Sequence, residues 1–189
     1  MTNDAPKAAL LAPPMLAMGL VILAANILVQ HPIQATIGSL DLANWLTYGA
    51  ISYPIAFLVT DATNRLFGPA AARRVVYVGF AVGVTLSLVF ADPRIAIASG
   101  TAFLTAQLLD VLVFDRLRAL RWWTAPLASS LVGSAVDTAL FFSIAFYGTP
   151  VPWVSLAFGD FLVKLAMALV LLPAFRAIVA WYPKRLQTA

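Results

Sequence analysis

Long apolar stretches separated by short polar connections dominate the chain. A helix needs about 20 apolar residues to cross the hydrocarbon core of a bilayer. Six stretches have this length or come close to it, and they predict transmembrane helices at residues 8–29, 45–66, 73–90, 95–114, 123–147 and 154–179. We expect the first stretch to be retained rather than removed as a signal peptide, because no convincing small-residue cleavage site follows it.

The composition agrees with this pattern. Of the 189 residues, 62% are hydrophobic and 11% are charged, and the mean hydropathy is +0.91. About a quarter of the residues of a soluble domain are charged, and a soluble fold of this composition would expose large apolar patches. We therefore predict an all-α integral membrane protein, a bundle of six transmembrane helices in which residues 1–189 form a single transmembrane domain embedded in the lipid bilayer.

The basic residues predict the orientation of the bundle. If the helices alternate in direction, ten of the twelve basic residues fall on one side. These ten are Lys7, Arg65, Arg73, Arg74, Arg116, Arg118, Arg121, Arg176, Lys184 and Arg185. Cytoplasmic loops carry an excess of Lys and Arg, so both termini are predicted to be cytoplasmic. The net charge of +4 is explained in this way, and we expect no nucleic-acid partner.

Several residue types and motifs limit the chemistry. The sequence has no cysteine, which excludes disulfides and thiolate metal sites. His31, the only histidine, precedes Pro32 in a predicted connection, where a solvated loop residue is expected rather than a metal ligand or an acid–base group. No G-x-x-x-x-G-K-[ST] motif occurs, so the chain does not bind ATP through a Walker A loop. We expect neither a cofactor nor a metal.

Polar residues inside the apolar stretches are the candidate functional groups. A charged residue at the centre of a transmembrane helix costs about 2.5–3.5 kcal/mol on the translocon scale. The polar residues recur at spacings of three or four, so each set lies on one face of its helix. The sets are Asp61 with Asn64, Gln107 with Asp110, Ser130 with Ser134 and Asp137, and Asp160 with Lys164. We expect these four polar stripes to converge on one interior cavity.

Two further features concern helix shape and packing. Pro54 lies about two turns before Asp61 and removes a backbone hydrogen bond, which suits gating in a transporter and equally a kink without function. Gly79 and Gly83 form a G-x-x-x-G motif that allows close helix approach, either within the chain or in a homo-oligomer.

Four segments in order resemble one family. They are YPIAFLVTDATNRLFG, RIAIASGTAFLTAQLLDVLVFDRLR, RWWTAPLASSLVGSAVDTALFFSIAF and GDFLVKLAMALVLLP, preceded by NILVQHP. Together they resemble the bacterial queuosine precursor transporter family, also called a vitamin uptake transporter family, over about residues 26–175. The resemblance implies a six-helix importer of the bacterial inner membrane. Its cargo would be 7-cyano-7-deazaguanine and 7-aminomethyl-7-deazaguanine, which feed the synthesis of queuosine in tRNA.

The resemblance also implies a site. Its motif positions are Asp61, Arg65, Gln107, Asp110, Asp137, Asp160 and Lys164. A deazaguanine presents adjacent N–H donors that a carboxylate can accept together, and a flat face for aromatic stacking. The predicted substrate-binding residues are Asp61, Asn64, Gln107, Asp110, Phe57 and Phe141. Asp137 is the predicted proton carrier, because burial favours a neutral carboxyl. Asp160, Lys164 and Pro54 join it as candidates for coupling or gating, although Asp160 and Lys164 are as well explained by a structural pair one helical turn apart.

Two other functions fit parts of the sequence. A substrate-binding subunit of an energy-coupling-factor vitamin transporter also has six spans and no ATPase of its own, so an ATPase partner stays open. An intramembrane aspartyl protease is disfavoured, because residues 157–160 read A-F-G-D instead of G-x-G-D and Lys164 lies one turn from Asp160. The chain is therefore predicted not to be an enzyme.

Overall fold

The computed structural model describes residues 8–28, 31, 33–38, 40–90 and 92–182, and it is about 84% helical. Its α-helices are α1 (Ala8–Leu28), α2 (Tyr48–Ser52), α3 (Pro54–Phe67), α4 (Pro69–Phe90), α5 (Pro93–Leu117), α6 (Thr124–Phe146) and α7 (Trp153–Trp181). Before α2, a two-residue antiparallel hairpin pairs β1 (Thr36–Ile37) with β2 (Leu40–Asp41), and a 3₁₀ turn follows at Leu42–Asn44. Lys7, Val29, Lys184 and Arg185 lie outside the described residues.

Five of the described helices are long and apolar enough to cross a membrane: α1, α4, α5, α6 and α7. Large apolar side chains cover their outer surfaces, among them Leu16, Val89 and Val170, each about two thirds exposed. In water such surfaces would drive aggregation, whereas lipid solvates them. The prediction of an all-α membrane protein is confirmed.

The region of the second predicted span, residues 45–66, is helical from Tyr48 onward, but its hydrogen-bond pattern is interrupted at Tyr53, whose torsion angles stay α-helical at φ −59° and ψ −38°. α2 ends at Ser52, and α3 begins at Pro54, so the break falls at Tyr53. Pro54 has no N–H to donate to the carbonyl group four residues before it. The N–H of Ala56 donates to the carbonyl oxygen of Tyr53, three residues before it, at 2.9 Å. The interruption lies at Pro54, where the sequence predicted the loss of a backbone hydrogen bond.

Short connections join α3 to α4 and α4 to α5. Gly68 joins α3 to α4 with φ +85°, a backbone conformation that glycine adopts without steric cost. The carboxylate of Asp92 accepts a hydrogen bond from the N–H of Arg94 at 2.8 Å and so caps α5. α4 begins at Pro69, earlier than the predicted residue 73, so Arg73 and Arg74 lie within its first turns.

α3 is the central helix of the bundle. It packs against α1, α4, α5, α6 and α7. One apolar cluster joins α1, α3, α4 and α5 around Met18, Val75 and Phe103, and a second joins α3, α5, α6 and α7 around Phe114 and Phe175. The helix that carries Asp61 and Asn64 is therefore surrounded by protein over most of its surface.

The two ends of the bundle differ in charge. Seven described basic residues lie at one end, which we call the basic end: Arg65, Arg73, Arg74, Arg116, Arg118, Arg121 and Arg176. At the opposite end lie the connections around residues 31–47, 92 and 147–152, together with Arg94, which bonds to the carbonyl oxygen of Ile144 at 2.8 Å. We call this opposite end the cavity end, because the large cavity lies there.

Candidate functional site

A cavity of about 800 Å³ occupies the half of the bundle nearer the cavity end. It is lined by α1, α4, α5, α6 and α7, and by the segment before α3, and it reaches His31 and Trp45 in the connection. Five phenylalanines line it: Phe80, Phe103, Phe141, Phe142 and Phe146. Small-molecule sites are concave, mostly apolar and about 300–1,000 Å³ in volume, so the cavity has the dimensions of a ligand site.

A charged group of side chains closes the inner end of this cavity. We call Tyr53, Asp137, Thr138, Asp160 and Lys164 the floor cluster. The Lys164 Nζ lies 2.7 Å from Asp137 Oδ2, 2.6 Å from Asp160 Oδ2 and 3.1 Å from Thr138 Oγ1. An ammonium group has three N–H donors, and all three are used here. The i, i+4 spacing of Asp160 and Lys164 predicted their contact; Asp137 joins it from α6.

Tyr53 completes the floor cluster. Its hydroxyl donates to Asp137 Oδ1 at 2.9 Å, and its ring lies 5.2 Å from the Lys164 Nζ. The ring also makes edge contacts with Phe57 and Phe103, at centroid distances of 6.2 and 6.4 Å. The break between α2 and α3 thus positions a tyrosine that ties the charged floor to the aromatic wall.

The floor cluster keeps one acceptor free. Both oxygens of Asp137 accept hydrogen bonds, and Asp160 Oδ2 accepts from Lys164 and from Thr138 at 2.7 Å. Asp160 Oδ1 has no partner among the described residues, and 15% of the Asp160 side chain stays exposed. One ammonium faces two carboxylates, so an ionised floor carries one excess negative charge. This arrangement suits a ligand that donates N–H groups or carries a positive charge.

A second polar group lies deeper, between α3, α5 and α6. Asp61 accepts from Ser129 at 3.0 Å and from Ser130 at 3.3 Å, and the Asp110 carboxyl lies near it on α5. We call Asp61 and Asp110 the inner carboxyl pair. Next to it, Thr60 Oγ1 lies 2.6 Å from Gln107 Oε1, and the Asn64 side chain donates to the carbonyl oxygen of Val111 at 3.0 Å.

The predicted substrate-binding residues do not share one cavity. Phe141 lines the large cavity, whereas Phe57 and Asp61 line a separate cavity of about 20 Å³. Asn64, Gln107 and Asp110 are fully buried and line neither. Their contact with the base stays a prediction.

The residues predicted for coupling or gating are placed differently. Asp137, Asp160 and Lys164 line the large cavity, and Pro54 lines the small one. The four polar stripes thus form two layers instead of one site. Sequence spacing gives the face of a helix that a residue occupies, but neither its neighbours on other helices nor the level at which stripes meet.

Sequence reasoning missed three polar contacts. Tyr53 and Thr138 belong to the floor cluster, and Ser129 bonds to Asp61. A signal existed for two of them, because Tyr53 directly precedes the helix-breaking Pro54 and Thr138 follows Asp137. Ser129 lies one residue outside the stripe of Ser130, Ser134 and Asp137, so periodicity alone did not select it.

Comparison with known proteins gives a consistent set of matches. Residues 47–92 and 86–178 match the model of a family described as "Putative vitamin uptake transporter". The "Queuosine precursor transporter" of Escherichia coli (strain K12) is 36% identical over 194 aligned positions, which cover 88% of this chain and 85% of that protein. No solved structure matches the chain.

Two other relatives carry a similar name. A "Probable queuosine precursor transporter" of Haemophilus influenzae is 36% identical, over 88% of this chain and 85% of the relative. One of Bacillus subtilis (strain 168) is 30% identical, over 67% of this chain and 69% of the relative.

Proposed function

The chain belongs to the vitamin uptake transporter family, and from this we propose that it is a non-enzymatic membrane importer of queuosine precursors. Its relatives are named as transporters of such precursors, and the chain aligns with most of the length of each. The cargo we propose is 7-cyano-7-deazaguanine, 7-aminomethyl-7-deazaguanine or both, supplied to the modification of tRNA.

The observation that carries this proposal is the large cavity with its buried charged floor. A cavity of about 800 Å³ accommodates a bicyclic base with room for movement. Phe141, Phe142 and Phe103 supply aromatic surfaces against which a flat ring can stack. Charged groups inside a membrane bundle are costly and typically mark a substrate or ion pathway.

Recognition of the base is proposed to start at Asp160. Its free oxygen, Oδ1, can accept an N–H of the guanine-like edge, and Tyr53 belongs to the same floor cluster through its bond to Asp137. A hydrogen bond to a charged acceptor contributes about 1.5–3 kcal/mol. In this proposal the floor cluster contacts the base while the cavity is open, instead of Asp61, Asn64, Gln107 and Asp110.

The proposed topology has six spans in the bacterial inner membrane. α2 and α3 together run from residue 48 to residue 67 and would form the second span, broken near its start. With the basic end in the cytoplasm, as the positive-inside rule expects, both termini are cytoplasmic and the large cavity faces outward. This orientation suits an importer that takes up its cargo from outside the cell.

The test is restoration of queuosine in the tRNA of a bacterial host that can neither make the precursors nor import them. The host expresses this chain and receives either base at nanomolar concentration. We expect the wild type and Asp115→Asn, a matched change at an aspartate outside both polar clusters, to restore queuosine. Asp160→Asn should reduce it at equal membrane insertion. No queuosine with an inserted wild-type chain would contradict the proposal and would favour a subunit that needs an ATPase partner.

A further inference from the structure

The inner carboxyl pair lies buried without a counter-charge. Asp61 is 2% exposed and Asp110 is fully buried. None of the ion pairs between described residues includes either of them. Ser129 and Ser130 on α6 donate to Asp61, while both oxygens of Asp110 have no hydrogen-bond partner in the part of the chain that the structure describes.

The charged groups on the surrounding helices bond to other residues or are exposed. Lys164 on α7 lines the small cavity together with Asp61, but its ammonium is held by Asp137 and Asp160. Arg65, one turn beyond Asp61 on α3, donates to the carbonyl oxygen of Arg118 at 2.7 Å. On α4, Arg73 and Arg74 are exposed at the basic end. The two carboxyls therefore face hydroxyls and each other.

Other buried polar atoms in the same layer also lack partners. Among the described residues, Asn64 Oδ1 and Gln107 Nε2 have no hydrogen-bond partner, although both side chains are fully buried. Buried polar groups in native proteins are nearly always paired. Unpaired atoms on the same polar stripes as two neighbouring buried carboxyls indicate a site that holds a ligand or rearranges, instead of a finished structural network.

We infer that the inner carboxyl pair binds the proton whose movement drives uptake, an inference that rests on the proposed function. Two neighbouring carboxylates buried away from water cannot both stay ionised at acceptable cost, and one shared proton removes the repulsion. Of the pair, only Asp61 lines one of the two cavities described above, the small one of about 20 Å³, which leaves little room for a partly hydrated metal ion. A proton needs no such space. Asp137, the predicted carrier, is instead engaged by Lys164.

Lys164 connects the proton site to the cargo site. It lines both the large cavity and the small one, and Asp61, Ser130 and Ser134 line the small cavity beside it. A base that donates to Asp160 Oδ1 draws on the same carboxylate whose Oδ2 holds Lys164, and so weakens the hold on the ammonium. Movement of the Lys164 ammonium would change the electrostatic potential at Asp61, which lines the same small cavity. The proton enters from the large cavity and leaves at the basic end, and one proton bound and released balances each cycle.

The test separates proton-driven accumulation from exchange. Purified chain is reconstituted into lipid vesicles, and radiolabelled 7-aminomethyl-7-deazaguanine is followed in two assays. The first measures accumulation driven by an imposed pH gradient, acid outside. The second measures exchange of labelled for unlabelled base without any gradient. For Asp110→Asn and Asp61→Asn we expect a loss of at least about tenfold in accumulation, with exchange within about threefold of the wild type. Asp115→Asn on α5 is the matched control and should behave as the wild type.

Each other outcome overturns the inference in a recognisable way. If both variants still accumulate the base under a pH gradient, the pair is not the proton site. If both fold and insert but lose exchange as well, the pair contacts cargo or supports the structure. If a sodium gradient drives the wild type and a pH gradient does not, the coupling ion is sodium. A wild type that fails even to exchange the base refutes the proposed function itself.

Discussion

Lys164 holds the charges of the floor cluster together. Its ammonium contacts Asp137, Asp160 and Thr138, and it is 4% exposed. A buried ammonium without carboxylates, or two buried carboxylates without the ammonium, would be left with uncompensated charge. The three charged residues therefore form one unit, and the loss of one member is expected to affect the others.

Removal of this lysine should destabilise the fold. Lys164→Met leaves Asp137 and Asp160 facing each other, and breaking a buried ion pair costs about 3–5 kcal/mol. The double variant Lys164→Met/Asp137→Asn returns the floor to its original excess of one negative charge and should recover part of the loss. Thermal unfolding of detergent-solubilised protein measures both effects. Equal stability of Lys164→Met and the wild type would show that the pair does not support the fold.

The excess negative charge at the floor predicts a preference between the two bases. The amine of 7-aminomethyl-7-deazaguanine is cationic, whereas the cyano group is neutral. Both bases share the edge that Asp160 is proposed to bind, so the preference comes from the attraction between the cationic amine and the excess charge of the floor. We expect it to be at least about tenfold, or about 1.4 kcal/mol. Asp160→Asn should remove most of this preference. Competition between the bases during uptake gives the ratio, and an unchanged ratio in this variant would contradict the role of Asp160.

The sequence predicted which single residues are functional candidates, but not which side chains they contact. The cost of charge in lipid singled out Asp61, Asp110 and Asp137 because no packing argument explains them. Which of them meets a cation depends on α7 lying beside α6, and this proximity brings Lys164 to Asp137 at 2.7 Å. The spacing between positions 137 and 164 carries no signal for that contact.

Among the helices, α3 shows how an element is held in place. Arg118, just after α5, donates to the carbonyl oxygen of Asn64 at 3.1 Å near the end of α3, and Arg65 donates back to Arg118 at 2.7 Å. Cations at helix C-termini satisfy free carbonyl groups and complement the helix dipole. The two arginines thus fix α3 and α5 to each other at the basic end, whereas at its other end α3 begins at the break.

Close packing of α6 against α3 depends on Gly133. A Cβ placed there would lie 2.7 Å from Phe57 Cε1 and 3.4 Å from the carbonyl oxygen of Ala106. Because Phe57 is 2% exposed, it has little freedom to move aside. Overpacking of this kind costs about 1–3 kcal/mol, and we expect Gly133→Ala to lower the thermal midpoint.

Gly19→Ala is the control for this change. A Cβ at Gly19 meets nothing closer than Val82 Cγ2 at 3.9 Å, and alanine favours helix. The control should be neutral or slightly stabilising. If Gly133→Ala is equally harmless, the contact between α6 and Phe57 is looser than the structure indicates.

The G-x-x-x-G motif of α4 is used inside the chain. A Cβ at Gly79 would lie 2.6 Å from Met18 Cγ and 3.0 Å from Phe103 Cζ, so α4 packs closely on α1 and α5. A Cβ at Gly83 would lie 3.4 Å from Ile22 Cγ2 of α1.

Apolar helices were predictable from sequence because bilayer thickness sets their length, but a five-residue helix such as α2 falls below the window on which such predictions depend.

For the whole molecule, the charge difference between the two ends predicts a sidedness. The sequence has no cysteine, so single cysteines can be introduced without removing native ones. Tyr147 and Leu120 are exposed, at 72% and 56%, at the cavity end and the basic end respectively. A membrane-impermeant maleimide should label Tyr147→Cys in intact cells and Leu120→Cys only after the membrane is opened. Labelling of both from outside, or the reverse pattern, would contradict the topology.

The central claim for the whole molecule is that this chain alone carries queuosine precursors across a bilayer. The most direct measurement is uptake of radiolabelled 7-aminomethyl-7-deazaguanine into vesicles that contain only the purified chain. We predict saturable uptake that unlabelled 7-cyano-7-deazaguanine competes with and that empty vesicles lack. Uptake no faster than in empty vesicles, by protein shown to be folded and inserted, would contradict the claim.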